Sequence, residues 1–157
     1  MTIVGIQHQP WHKNLFWFSV PDKIKDKIDI NDWVMCDTAK GKQPGVVKVR
    51  FSSENEEDGI DFIRRSYTDE KYAGKIAFPL KSVVAISEII PIDSIAVPED
   101  MEKTFPPPEE WEALLARANP YLYEIFVDEN HVLKSGYAYY LADKMLGYKE
   151  VRVYQEL

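Results

Sequence analysis

The 157-residue chain contains one cysteine, three histidines and seven glycines, and each scarcity removes a class of protein. Cys36 alone cannot close an internal disulfide, so the framework of a small secreted domain is excluded and a reducing, cytoplasmic setting is expected. His8, His12 and His131 are too few and too scattered for a metal site, and Pro10 opposes a helix that would align His8 with His12. The glycines form no G-x-G-x-x-G fingerprint. Gly41-Lys42-Gln43 lacks the Ser or Thr that a phosphate loop needs after Gly-Lys. No apolar run approaches the ~20 residues of a membrane span, and residues 1–8 have neither a basic start nor a long apolar stretch. Neither a membrane anchor, a leader nor a cofactor is expected.

Catalytic signatures are equally sparse. Cys36 sits in an apolar run without a neighbouring histidine base, the setting of a buried hydrophobe and not of a nucleophile. Asp128-Glu129-x-His131 offers too few ligands for a metal and reads as a helix start. Aligning Gly59 with a calcium-loop glycine puts Arg65 where a bidentate glutamate must stand, so residues 52–59 read as a solvated loop. Serines and carboxylates are plentiful, but no spacing selects a pair. No catalytic residue is assigned, and a small hydrolase is the third of three function classes.

What is present is a chain of ordinary globular balance, 45% hydrophobic and 29% charged. Its net charge of −7 is unevenly spread. Residues 1–98 carry 13 Lys and Arg against 14 Asp and Glu, whereas residues 99–157 carry 6 against 12. Glu54, Glu56, Glu57, Asp58 and Asp61 form a local acidic run, so the rest of the first part leans basic.

Residues 1–98 read as β. Runs at 3–7 and 15–20 flank a polar, proline-containing connector, the pattern of a hairpin. A second hairpin joins residues 32–37 to 46–51 through a tip at 40–45 with Gly41 and Pro44-Gly45. Short runs at 76–78, 83–86 and 88–90 add strands, while residues 60–72 fit a helical turn or a short strand. Such short strands with frequent turns predict a small, mostly antiparallel β-barrel. Residues 99–108, with Pro106-Pro107-Pro108, read as a stiff linker. Residues 109–157 read as a helical segment docked on the barrel. One helix begins near Trp111, a second follows the spacing of Leu133, Tyr137, Tyr140, Leu141 and Met145 to Gly147, and Val151 and Val153 lie on a terminal strand. The expected class is therefore α+β.

Phe16-Trp17-Phe18-Ser19-Val20-Pro21, then Asn31-Asp32-Trp33-Val34-Met35-Cys36-Asp37-Thr38, Gly41 and Gly45-Val46-Val47-Lys48-Val49 carry a pattern of their own. Over residues 16–50 it resembles the N-terminal DNA-end-binding small β-barrel domain of bacterial primosome-assembly helicases, with Asn31 where that family has a glycine. The resemblance implies a small barrel and DNA binding, without the helicase motor. Lys40, Lys42, Lys48 and Arg50, with Trp11 and Trp17 and the neighbouring Phe16 and Phe18, would neutralise phosphates and stack bases.

The first function class is a non-enzymatic accessory module making protein–protein contacts, with seven tyrosines between Tyr121 and Tyr154 offering amphipathic contact area. The alternative is a nucleic-acid-binding protein that takes a single strand or a DNA end.

Overall fold

The computed structural model describes residues 1–66, 79–103 and 124–156. Eight strands lie among them: β1 (Thr2–Gln7), β2 (Phe16–Val20), β3 (Trp33–Thr38), β4 (Gly41–Ser52), β5 (Val83–Pro91), β6 (Phe126–Val127), β7 (Leu133–Ser135) and β8 (Glu150–Glu156). Their order is β2-β1-β4-β3-β5-β8-β6-β7, in an open sheet that mixes antiparallel ladders with a parallel β6–β8 pair. The α+β class stands, but the barrel expected for residues 1–98 does not form. Between the edge strand β2 and the start of β5 there is a single parallel bridge, Ser19 to Ser82, with the Ser19 amide donating to the Lys81 carbonyl. One bridge is not a ladder. Closure depends on strand tilt and stagger, which a pattern of short strands does not specify.

Contacts divide the chain into two compact units, Met1–Ile86 and Ser87–Leu157, and β5 carries the chain from one into the other. In the first unit β1 lies between β2 and β4, antiparallel to both. Val4, Ile6, Phe18 and Val20 pack on one side with Val34, Cys36, Val47 and Val83, together with Ile24 from a 3-10 segment at Asp22–Lys27 and Ile28 just after it. Ile3 and Trp17 pack in a second cluster with Val49, Phe51, Phe62 and Ile63.

The switch between clusters occurs within β4. The register with β1 pairs Gly5 with Val49 but Ile6 with Val47, leaving Lys48 as the extra residue of a bulge. A bulge resets the alternation of faces, so Val47 and Val49 serve different cores.

Helix α1 (Glu56–Arg65) covers the second cluster through Ile63 and Phe62. The Asn55 side chain caps it by accepting from the Asp58 amide, acids fill its first turn, and Arg64 and Arg65 end it. Both ends suit the helix dipole. The solvated loop expected up to Gly59 is therefore half helix. Gly59 is buried, with Met1 and Ile3 beside it.

The second unit has its own core of Ile90, Ile92, Ile95, Ile125, Val127, Leu133, Tyr140, Val151 and Val153. Helix α2 (Tyr137–Met145) is shorter than the spacing from Leu133 predicts. Gly136, at φ 85, separates it from β7, and a Cβ there would strike the Glu124 carbonyl. Tyr140 and Tyr154 are buried and pack the unit, while Tyr137, Tyr139 and Tyr148 are half-buried. A single helical turn occupies Glu99–Glu102. The strand expected at 76–78, the helix beginning near Trp111, Tyr121, Tyr123 and most of the proline linker lie outside the described residues. No helix among those described is long and apolar enough to cross a membrane.

Candidate functional site

At one end of the first unit's sheet lie two connections, one rich in aromatic rings and one carrying lysines. β1 ends where Gln7 pairs with Val46, so the loop of residues 8–15 leaves the sheet on the side where β4 runs back to its hairpin with β3. The turn of that hairpin is tighter than the 40–45 tip expected from sequence. Thr38 pairs with Gly41, so Ala39 and Lys40 form the turn and Pro44 lies within β4. Proline is tolerated there because β1 has already ended and no ladder on that side needs its missing N–H.

The loop is fastened to this stretch of β4. His8 Nδ1–H donates to the Pro44 carbonyl at 2.8 Å. Gly45 permits the approach, since a Cβ there would overlap Ile6 Cγ2 and lie 3.0 Å from His8 Nδ1. From His8 a chain of rings runs both inward and outward. His8 meets buried Phe18 edge-on at 5.8 Å and Phe16 at 5.3 Å; Phe16 meets His12 at 5.3 Å, and His12 meets Trp11 at 6.1 Å. The outer end is wet: Trp11 is 73% exposed and Phe16 is 45% exposed.

Lys13 in the loop and Lys40 and Lys42 at the hairpin are exposed as well. The turn is fixed locally, with Thr38 Oγ1 donating to the Gly41 carbonyl at 2.6 Å and accepting from the Lys40 amide at 3.2 Å. Lys13, Lys40 and Lys42 are the cations on these two connections, and exposed Asp37 stands opposite Lys42 in the β3–β4 ladder.

The other residues singled out from sequence are elsewhere. Trp17 is only 8% exposed and meets Phe62 edge-on in the core beneath α1, where no base can reach its face. Its position in β2 puts it on the opposite face from Phe16 and Phe18. Arg50 is half-buried, and its Nη2 donates to the Lys25 carbonyl at 2.9 Å, tying the 3-10 segment to β4. Lys48 is exposed at the bulge, six residues along the strand from Lys42 and thus about 20 Å away. Trp11, Lys40 and Lys42 are thus exposed on the two connections at this end of the sheet, whereas Trp17 is buried and Arg50 is held by the Lys25 carbonyl; Lys48 and Lys40 stand four residues either side of Pro44, where the loop is fastened. Sequence reading named Phe16 only as a neighbour and took His8 and His12 for loop polarity, since ring-on-ring contact across a hairpin has no local signature.

Burial pushes the Cys36 thiol up to about 12. Asp128 is held low by the backbone amides of Val132 and Asn130, which makes it a turn-former. Among the described residues no three His, Cys, Asp or Glu side chains converge as metal ligands.

No family model and no curated protein matches the chain. Among solved structures it is similar to the C2221 form of a Pnob8-like ParB-N domain, at 25% identity and a TM-score of 0.40, over 45% of this chain and 29% of that one. It is also similar to a pNOB8-like ParB N-domain structure, at 23% identity and a TM-score of 0.38, over 45% and 27%. The chain thus spans less than a third of either protein, and likeness of this extent decides neither fold nor function. Neither structure is a primosome-assembly helicase, and the sheet carrying residues 16–50 is open, so the resemblance to that family's small barrel is withdrawn.

Proposed function

We propose that the protein is a non-enzymatic nucleic-acid-binding module whose contact surface is the end of the first unit formed by residues 8–16 and the β3–β4 turn. The observation that carries this reading is Trp11, 73% exposed on a fastened loop at the same sheet end as Lys40 and Lys42. An indole in water is stabilised by covering it, and a nucleobase is a flat partner that arrives with a phosphate for the lysines. Lys13, Lys40 and Lys42 act as point charges toward the backbone. The net charge of −7 repels phosphates from the rest of the surface and concentrates contact at this basic end.

Fluorescence anisotropy with labelled DNA and RNA at about 50 mM salt tests the reading, because phosphate contacts are strongest at low salt. Binding is expected for the wild type and is expected to collapse in the K40E/K42E double variant, with thermal stability nearly unchanged. No affinity for any nucleic acid at that salt overturns the reading and returns the exposed Trp11 and Phe16 to a protein partner.

A further inference from the structure

The ring chain at this end limits what kind of nucleic acid fits it. Trp11 and Phe16 are the two exposed rings, and His12 stands between them, 6.1 Å from the first and 5.3 Å from the second. They are thus two separate platforms on one loop, Phe16 backed by His8 and, through it, by Phe18 at 5% exposure, and Trp11 resting on His12. A duplex keeps its base faces stacked on one another and offers only edges and backbone. Base faces become available to protein rings when bases are unpaired and splayed.

We infer that this end selects single strands, taking two unpaired bases on Trp11 and Phe16 while Lys13, on the same loop between them in the chain, meets an adjoining phosphate. The inference rests on the nucleic-acid reading and adds the substrate class to it. Because stacking uses a face that every base has, the site is tolerant of sequence. His8 and His12 are positioning residues that hold the Phe16 ring and do not themselves read the ligand. The His12 Nδ1 atom is shielded and accepts no hydrogen bond, consistent with a ring used for packing.

The test uses the full chain and compares a labelled oligo-dT single strand with a labelled duplex of the same length, for the wild type, W11A, F16L and K40E/K42E. F16L keeps an apolar side chain against His8 and His12, so loss of the ring is separated from loss of the loop. Single-strand binding is expected to exceed duplex binding by at least about ten-fold. W11A and F16L are each expected to weaken it by roughly five-fold or more, the lower end of what one stacked base contributes. Ultraviolet crosslinking of a bromodeoxyuridine strand should mark the peptide containing Trp11. If duplex is bound as tightly as single strand and W11A has no effect while K40E/K42E still abolishes binding, the single-strand inference falls and the nucleic-acid reading survives. If no nucleic acid binds at low salt, both fall.

Discussion

Asp143, in the second turn of α2, is fully buried, and neither carboxylate oxygen has a hydrogen-bond partner. Burial raises its carboxyl to about 6 from 3.8. Between those two pH values the folded chain holds a proton that the unfolded chain has released. Stability conferred by this residue therefore falls as pH rises through that window, and above pH 6 the full cost of a buried anion, on the order of 2–3 kcal/mol, is present. Asp143→Asn is expected to be more stable than the wild type at pH 7 by about 1–3 kcal/mol and equal to it near pH 4, measured by urea unfolding at both values. An Asn variant less stable at pH 7 would show that the carboxylate is compensated. Cys36 is 0% exposed with its thiol raised to about 12, so it should resist thiol reagents until the chain unfolds. Labelling rates across a denaturant series report this directly. Its buried character was legible in the apolar run around it, whereas Asp143 in the helical spacing reads as one more surface acid. No local pattern records that both its oxygens are sealed.

At the scale of elements, two glycines set the geometry for different reasons. Gly136 holds φ 85 between β7 and α2, and any side chain there meets the Glu124 carbonyl. Gly136→Ala combines left-handed strain with a backbone collision, so a loss of about 2–4 kcal/mol is expected, read as a fall in urea midpoint without a change in slope. Gly45 instead has an ordinary strand conformation and is required by proximity, because Ile6 and His8 occupy the space of a Cβ. Gly45→Ala is expected to cost about 1–3 kcal/mol and to loosen the 8–15 loop. Strand binding, measured by anisotropy, should fall with it even though no ligand-contacting residue has changed. Retained affinity would show that the loop does not need its fastening to Pro44. Sequence placed Gly41 and Gly45 together as turn residues, and the structure separates their roles: only Gly41, at φ 99, needs the freedom of a turn.

At the scale of the molecule, charge is the property that decides how binding responds to its medium. Three lysines at the proposed surface predict a slope of log affinity against log salt of about −2 for a single strand, falling to about −1.4 when Lys40 alone is replaced by alanine. A titration series at several salt concentrations measures both. A slope well beyond −3 would mean that Lys48 or other cations also reach phosphate, extending the surface along β4. Closeness in sequence groups Lys48 and Arg50 with the turn lysines. Strand rise separates Lys48 from the turn, and the contact with the Lys25 carbonyl commits Arg50 to structure.

Taken alone, the sequence determined the β-rich first part, the two hairpins, the terminal strand and the basic bias of the N-terminal residues, because apolar alternation, turn chemistry and composition are local properties. Only the tertiary structure decided that the sheet stays open, that a bulge at Lys48 divides two cores, that Trp17 is buried while Phe16 is exposed, and that the loop and hairpin leave the sheet at the same end. These depend on which strands neighbour one another and in what register. Pairing between β1 and β4 is made across some forty residues of chain, and its register is fixed by the packing of both faces at once.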